Sequence, residues 1–335
     1  MPDRDPAAWL WLRERLAAFR PALRPGDTRA SQADVVRTAV VTDSAAALPA
    51  EWVEAFAGDG RLTVIPMPVM VGEEIYGEGE DDISETIALA LASGKSVKTS
   101  RPSPGQFEQA FRAAERRGYE AVVSIHISGA LSGTADAARL AAGRVGIPVE
   151  VVDSGTVGMA LGMGVQGAVL AAAAGRDAAG VRAAAEEQLR LTKVYFYVPS
   201  LEQLRRGGRI GAAASLVGTM LAIKPILAVD GGKIVPLEKV RSAARAVARL
   251  EEIAADDAAS RPAGRVSLAV HHFGNPAEAE ALADRLAASL PHCPRAQISS
   301  LPAVLAAHAG LGVLAVIVGE GYAPGPADGH DGVST

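Results

Sequence analysis

Two short stretches of the chain, 97–104 and 127–134, concentrate hydroxyl side chains in turns. Each turn follows a segment that is predicted to be extended and precedes a segment with helical periodicity. The first turn of a helix has unpaired N–H groups and a partial positive charge, so a hydroxyl beside it can help to bind an anion. Two such turns at the same end of a sheet therefore predict a site for one carboxylate or phosphate group.

A serine at the start of a helix also has a purely structural interpretation, because serine is a preferred N-cap residue. Under this interpretation, Ser103 and Ser132 would each cap a helix. An isolated serine at such a place is usually a cap, but the pairing of two hydroxyl-rich turns favours a ligand site.

The segments around the turns predict an α/β fold. Strand-like runs at 38–42, 62–70, 121–127 and 149–153 alternate with helical patterns, which is typical of a doubly wound parallel sheet. Ligands of such sheets bind beyond the carboxyl ends of the strands. Both hydroxyl turns are therefore expected at that edge of the sheet.

The pattern changes near residue 193, where a strand is followed by a basic turn at 205–209 and a helical segment at 212–222. The residues around Gly231-Gly232 predict a β-hairpin. These elements predict a second α/β domain with a mixed sheet. The predicted organisation is an N-terminal extension at 1–35, domains at 36–190 and 191–320, and a disordered tail at 321–335.

Composition narrows the function classes. The chain of 335 residues has a formal net charge of −5, which argues against nonspecific nucleic-acid binding because that requires a basic surface. The single cysteine, Cys293, suits a reducing cytoplasm, and the histidines show no zinc-ligand spacing. The N-terminus lacks the pattern of a secretory signal, and the uncharged segment 154–175 is interpreted as a buried helix. We predict a cytoplasmic protein without a metal or cofactor and with at most transient membrane contact.

Familiar catalytic motifs are missing from the sequence, which contains neither G-x-x-x-x-G-K-[ST] nor G-x-S-x-G. His271 ends an apolar strand and His308 precedes a glycine-rich turn, so either side chain could face a cleft. Two alternatives to a ligand carrier stay open. One is a stand-alone hydrolase or phosphotransferase that uses one of these histidines, and the other is a nucleotide- or sugar-phosphate-binding regulator that uses the anion turns.

Several motifs, in order between residues 37 and 320, resemble those of the DegV family. They are Val40-Val41-Thr42-Asp43-Ser44, Thr99-Ser100-x-Pro-Ser-Pro, Leu131-Ser132-Gly133-Thr134, Leu204-Arg205-Arg206-Gly207-Gly208-Arg209-Ile210, Val270-His271 and His308-x-Gly310-x-Gly312. One departure is Gly129, which stands where the family pattern has a serine.

The resemblance implies a two-domain α/β protein that holds one long-chain fatty acid, such as palmitate, in the cleft between its domains. In that family the Thr of the first hydroxyl motif and the Ser of the second bind the carboxylate, which points to Thr99 and Ser132. The strand-end histidine of the family carries over to His271. The remaining members of the expected site are Ser100, Ser128 and Gly133.

The resemblance also implies a protein partner. Some members of the family serve a separate ATP-dependent kinase, which phosphorylates the bound fatty acid to an acyl phosphate for phospholipid synthesis. The protein itself would then be a lipid carrier and not an enzyme. Arg205, Arg206 and Arg209 could dock an acidic surface of such a kinase, because a guanidinium group binds carboxylates bidentately. Pairing with Glu202 on the protein's own surface is the alternative interpretation of these arginines.

Overall fold

The structure is a computed structural model that describes residues 37–77, 83–216, 223–262 and 264–321. The predicted extension at 1–35 and all but the first residue of the predicted tail at 321–335 lie outside the described residues.

The N-terminal part of the described chain contains two sheets. Its strands are β1 (Thr38–Asp43), β2 (Leu62–Ile65), β3 (Pro68–Val71), β4 (Glu74–Gly77), β5 (Val97–Thr99), β6 (Ala121–His126) and β7 (Val149–Asp153). Its helices are α1 (Ala50–Ala57), α2 (Ser84–Ala92), α3 (Pro104–Arg116), α4 (Thr134–Ala142), α5 (Met159–Ala173) and α6 (Ala178–Arg190). Strands β2-β1-β6-β7 form a four-stranded sheet in which every pairing is parallel.

Both faces of the parallel sheet are covered by helices. Ala39 and Val41 of β1 pack in a cluster with Phe107 and Phe111 of α3, whereas Val40 faces a cluster built with α5 and α6. Because consecutive strand residues point to opposite faces and both faces are covered, every residue of β1 and β6 is buried. The predicted doubly wound parallel sheet is therefore confirmed.

The predicted strand at 62–70 is wrong as a single element. The chain breaks at Pro66-Met67, where Ser44 Oγ accepts a hydrogen bond of 3.0 Å from the Met67 N–H. A proline cannot donate to a sheet ladder, so the strand divides at this point. Strand β2 stays in the parallel sheet, and β3 joins a separate antiparallel sheet of order β4-β3-β5.

The C-terminal part contains a mixed sheet of order β10-β9-β8-β13-β11-β12. Its strands are β8 (Lys193–Tyr197), β9 (Lys224–Asp230), β10 (Lys233–Val240), β11 (Val266–His272), β12 (Gln297–Ser300) and β13 (Leu314–Glu320). Its helices are α7 (Glu202–Arg206), α8 (Ala243–Ala259), α9 (Pro276–Ser289) and α10 (Ala303–Ala309). Only the β11–β12 pairing is parallel among the described strands of this sheet. The predicted hairpin is confirmed, since Gly231 and Gly232 connect β9 and β10 with φ angles of 53° and 78°.

The two faces of the mixed sheet have different neighbours. On β13, Leu314, Val316 and Val318 pack in a cluster with helices α8 and α9. Ala315 and Ile317 point the other way, into a cluster that includes α5 of the N-terminal part. The second face of this sheet therefore belongs to an interior that both parts of the chain share.

Helix α5 lies in this shared interior and accounts for most of the uncharged segment at 154–175. Nearly all its side chains are buried. In the described ranges, no helix combines the length and the apolar character that a membrane span requires.

The predicted basic turn at 205–209 and the predicted helix at 212–222 both need correction. Arg205 and Arg206 lie in helix α7, and the chain turns after them at Gly207-Gly208, where Gly208 has a φ of 71°. Residues Gly211–Leu216 form a 3-10 helix, and 217–222 lie outside the described residues.

Candidate ligand-binding site

A cavity of about 380 Å³ lies between the N-terminal part and the second face of the mixed sheet. This volume is typical of pockets that hold small molecules. The sheet contributes apolar side chains to its wall, which are Val194, Phe196, Val229, Ile234, Ala315 and Ile317. Further apolar side chains come from Met67, Ile127, Leu131, Val157, Leu204, Leu301, Val304, Leu305 and Val313.

The polar part of the lining forms a connected group, which we call the polar ring: Thr99, Arg101, Ser132, Arg209 and His308. Thr99 Oγ1 lies 2.8 Å from His308 Nε2, and Arg209 Nε donates to the Leu131 carbonyl at 3.0 Å. Arg101 reaches Gly133, where an added Cβ would lie 2.5 Å from its Nη1. These contacts bring the two hydroxyl turns together with residues of the C-terminal part.

The first hydroxyl turn follows β5 of the small antiparallel sheet. The prediction that both turns lie at one edge of one sheet is therefore wrong. Thr99 is the last residue of β5, and the Ser100 N–H donates to the Pro68 carbonyl at 3.0 Å. Ser103 caps α3 in a reciprocal capping box with Gln106, so its hydroxyl has the structural role.

The second hydroxyl turn follows β6 of the parallel sheet, and Asp43 of β1 holds the start of this turn. The Asp43 carboxylate accepts a hydrogen bond of 3.0 Å from the Ile127 N–H. The Ser128 carbonyl then accepts from the N–H groups of Leu131 and Ser132, both at 3.0 Å. This network fixes the turn that carries Ser132 into the cavity.

Ser132 is not a helix cap. Helix α4 begins after it at Thr134, with Gly133 at the N-cap position and no side chain bonded there. The Ser132 hydroxyl instead lies 2.8 Å from Thr134 Oγ1. The N-terminus of α4 therefore keeps N–H groups and a positive dipole end beside the polar ring.

His308 is the histidine of the polar ring. Its Nδ1 is buried and has no hydrogen-bond partner within the described ranges. Burial, with a smaller contribution from the Arg209 charge, lowers the pKa of His308 to about 4. A neutral ring that donates its Nε2–H to Thr99 Oγ1 leaves the threonine proton free for a carboxylate. The His308 ring packs closely against the backbone at Gly207. A side chain at this position would clash, because its Cβ would lie 2.1 Å from His308 Nδ1.

His271, the predicted ligand-binding histidine, lines the cavity but has both ring nitrogens occupied. Its Nε2 accepts from the Met159 N–H at 3.0 Å, and its Nδ1 lies 2.9 Å from Ser299 Oγ. Burial lowers its pKa to about 4, so the ring is neutral. His271 thus joins β11 to the start of α5, and the histidine beside Thr99 is His308.

The structure brings most of the other predicted residues to the cavity, with Ser128 as the exception. Ser100 and Gly133 line the cavity with Thr99 and Ser132. The Ser128 hydroxyl is buried away from the lining and donates to the Gly232 carbonyl at 2.7 Å. Ser128 therefore links the second hydroxyl turn to the hairpin of the mixed sheet.

The arginines of the predicted docking surface separate into two environments. Arg205 and Arg206 are exposed and pair with Glu202, at 3.0 and 2.7 Å. Arg209 lines the cavity instead. Arg101 also lines the cavity, although sequence reasoning assigned it no role, because it occupies the variable position of its motif.

A second group of polar residues lies inside the parallel sheet, and we call it the sheet cluster: Asp43, Ser124 and His126. His126 Nδ1 lies 2.9 Å from Asp43 Oδ2, and its Nε2 lies 2.6 Å from Ser124 Oγ. The order of these groups is that of a serine-hydrolase triad. All three side chains are fully buried, however, and none lines the cavity. A substrate cannot reach this serine, so the sheet cluster is structural.

A metal site of ordinary composition is absent from the described part of the chain. No group of three or more His, Cys, Asp or Glu side chains there is placed to hold a metal ion. The groups that line the cavity can bind an anion through hydroxyl, N–H and guanidinium donors beside an apolar wall.

Comparison with known proteins places these features in a family. The sequence model described as "Uncharacterised protein, DegV family" matches residues 37–320. A DegV domain-containing protein of Streptomyces coelicolor is 45% identical over 280 residues, which cover 84% of this chain and 97% of the relative.

Two solved structures have the same fold. One is described as fatty acid binding of a DegV family protein from Thermus thermophilus; it has a TM-score of 0.78 and 30% identity, covering 85% of this chain and 99% of that one. The other is described as DegV, a fatty acid binding protein from Bacillus subtilis. It has a TM-score of 0.75 and 30% identity, with coverage of 85% and 99%.

Proposed function

The chain belongs to the DegV family, and on that premise we propose that it binds one long-chain fatty acid in the cavity between its two parts. The carboxylate occupies the polar ring, and the acyl chain lies along the apolar wall of the mixed sheet. The ligands that the two solved relatives are described as binding support this assignment.

The observation that carries the proposal is the polar ring itself. Thr99 and His308 are held together at 2.8 Å, and Arg101 and Arg209 lie in the same lining. Hydrogen bonds and ion pairs to a carboxylate are stronger than neutral contacts. The arginines add positive charge that hydroxyl turns alone would lack, so one anionic headgroup fits this end of the cavity.

The apolar wall supplies the remaining affinity. Burial of about 15 methylene groups at roughly 0.8 kcal/mol each amounts to about 12 kcal/mol before ordering costs. A bound nucleotide or sugar phosphate would place its own polar groups against this apolar wall, where they would find no hydrogen-bond partners. The arrangement therefore favours an amphiphile over the nucleotide-binding alternative.

Organic extraction followed by mass spectrometry of the purified protein tests the proposal. We expect one long-chain fatty acid per protein molecule, and loss of this signal from a Thr99→Val, Ser132→Ala double variant that remains folded. A protein that carries a nucleotide, or that binds no added fatty acid after delipidation, would contradict the proposal.

We further propose that the protein presents the bound acid to a separate ATP-dependent kinase that forms the acyl phosphate. The sequence lacks a phosphate-cradling loop of recognisable form, so the phosphoryl donor is expected to bind elsewhere. Arg206, like Arg205, has an exposed side chain that pairs with Glu202, so the docking surface is tested at Arg206. Arg209 contacts the cavity, and its substitution is expected to weaken fatty-acid binding as well.

A reconstituted system that contains the protein, fatty acid, ATP, Mg²⁺ and the kinase of the same cell tests this role. Arg206→Ala should slow acyl-phosphate formation, more strongly at low salt, and should leave fatty-acid affinity unchanged. Lys98→Ala, at another exposed cation near Thr99, serves as the control. Turnover without any kinase, or an unchanged rate with Arg206→Ala, would argue against presentation through this surface.

A further inference from the structure

Just beyond one end of the cavity wall lies a methionine, Met163 of α5, which is not itself part of the lining. Along β13, Ala315 and Ile317 line the cavity on the same face of the sheet. Side chains alternate along a strand, so the next residue on this face is Gly319. Gly319 does not line the cavity, because the place that its side chain would occupy is filled by Met163 of α5.

The contact between these two residues is close. A Cβ added to Gly319 would lie 2.5 Å from Met163 Sδ and 3.2 Å from Thr192 Cγ2. Met163 itself is buried, at 5% exposure. Ile317 pairs with Val194, Val194 with Val229, and Val229 with Ile234. These four residues form the last row of the cavity wall before Met163.

We propose that Met163 sets the longest acyl chain that the cavity accepts. This inference rests on the proposed fatty-acid binding and adds the residue that determines its chain-length specificity. An acyl chain that passes the row of Ile317 meets the thioether of Met163. Additional methylene groups must then displace this side chain or remain outside the cavity.

The energetics of burial give the size of the effect. Each methylene that the cavity buries strengthens binding by about fourfold, and a methylene that finds no room adds nothing. A plot of affinity against chain length therefore rises and then breaks at the length that reaches Met163. Met163→Ala removes three heavy atoms and opens room for about two methylenes, which shifts the break by about two carbons.

The experiment measures the affinities of delipidated protein for saturated fatty acids of increasing, even and odd, chain length. For Met163→Ala we expect the break about two carbons later, and about 15-fold tighter binding of the acid two carbons longer than the parent's limit. Met159→Ala is the matched control. This buried methionine lies on the same helix, but its side chain lies against Gly162 and not against Gly319 at the end of the wall.

Two further variants keep the test decisive. Gly319→Ala in the Met163→Ala background places a methyl group where the thioether was, and it should move the break back towards the parent's length. Met163→Leu changes the volume little and reaches less far, so it replaces the alanine variant if that protein does not fold. It should shift the break by about one carbon.

The outcomes separate this inference from the proposed function. If the parent binds fatty acids and folded Met163 variants keep the parent's break, Met163 does not set the length, and the inference is overturned. If Met159→Ala moves the break as far as Met163→Ala, the effect is not specific to the end of the cavity, and the inference is also overturned. If the parent binds no fatty acid of any length, the proposed function fails first.

Discussion

The sheet cluster and the polar ring are both built around a histidine, but they differ in what the histidine leaves unpaired. In the sheet cluster, His126 is bonded through both nitrogens, to Asp43 and Ser124, and all three side chains are fully buried. In the polar ring, His308 is bonded to Thr99 through one nitrogen, and the other has no partner among the described residues.

Exposure to a cavity identifies a ligand site better than the order of residue types does. The sheet cluster reproduces the residue order of a hydrolase triad, yet its side chains are buried in the parallel sheet and form hydrogen bonds with one another. The polar ring contains no familiar triad, but it borders a cavity and has capacity to bind an anion. Substitutions in the sheet cluster should therefore affect folding, and substitutions in the polar ring should affect ligand binding.

The largest effect is expected in the sheet cluster. His126→Leu removes the ring donor from the buried carboxylate of Asp43 and leaves the Ser124 hydroxyl without its partner. Such a loss costs roughly 3 kcal/mol of the free energy of unfolding. Urea unfolding measures the loss, and His292→Leu at an exposed histidine should stay within about 0.5 kcal/mol of the parent. A change below about 1 kcal/mol would show that the cluster is not structural.

A smaller effect of a different kind is expected in the polar ring. Thr99→Val and Ser132→Ala each remove one hydrogen bond to a charged group, worth roughly 1.5–3 kcal/mol, so fatty-acid affinity should fall about 10- to 100-fold. Displacement of a fluorescent fatty acid measures the affinity, and the melting temperature should change little. Ser103→Ala is the control, because its hydroxyl caps α3; it should cost about 1 kcal/mol of stability and no affinity. Equal affinity in all variants would place the carboxylate elsewhere.

The smallest effect is the pH dependence of the free energy of unfolding that His308 of the polar ring contributes. The pKa of His308 falls from 6.5 to about 4 on folding, so the unfolded chain binds more protons between these values. The free energy of unfolding is therefore highest above pH 6.5 and falls as pH decreases towards 4. Between pH 7 and 5.5, His308 should account for about 1 kcal/mol of this loss.

Urea unfolding of the ligand-free parent and of His308→Gln at both pH values isolates this contribution. The variant should lose about 1 kcal/mol less than the parent on acidification. A parent and variant with the same pH dependence would mean that His308 is not held neutral by its surroundings.

The sequence was sufficient for most of the fold because the signals are local. The alternation of apolar strands and helices predicted the doubly wound parallel sheet, and Gly231-Gly232 predicted the hairpin. The small antiparallel sheet was missed because its strands are short and β2 and β3 are separated by only Pro66-Met67. Local periodicity cannot show that two adjacent strands belong to different sheets.

The site was predicted less completely because its contacts join distant parts of the chain. Thr99 and His308 are 209 positions apart, and neither position alone reveals the other. His271 was the more prominent candidate, since it ends a long apolar strand, but its ring is used to join β11 to α5. Arg101 was missed because its motif tolerates any residue there, and only the folded chain brings it beside Gly133.

The interior that surrounds the cavity draws on both parts of the chain, and this has a kinetic consequence. Hydrogen bonds from Ser128 to Gly232 and from Met159 to His271 close the two parts over the cavity. A molecule enclosed there can leave only when those bonds and the apolar contacts around them open together. Its residence time should then depend on the frequency of that opening, so a substitution that weakens either hydrogen bond should speed dissociation.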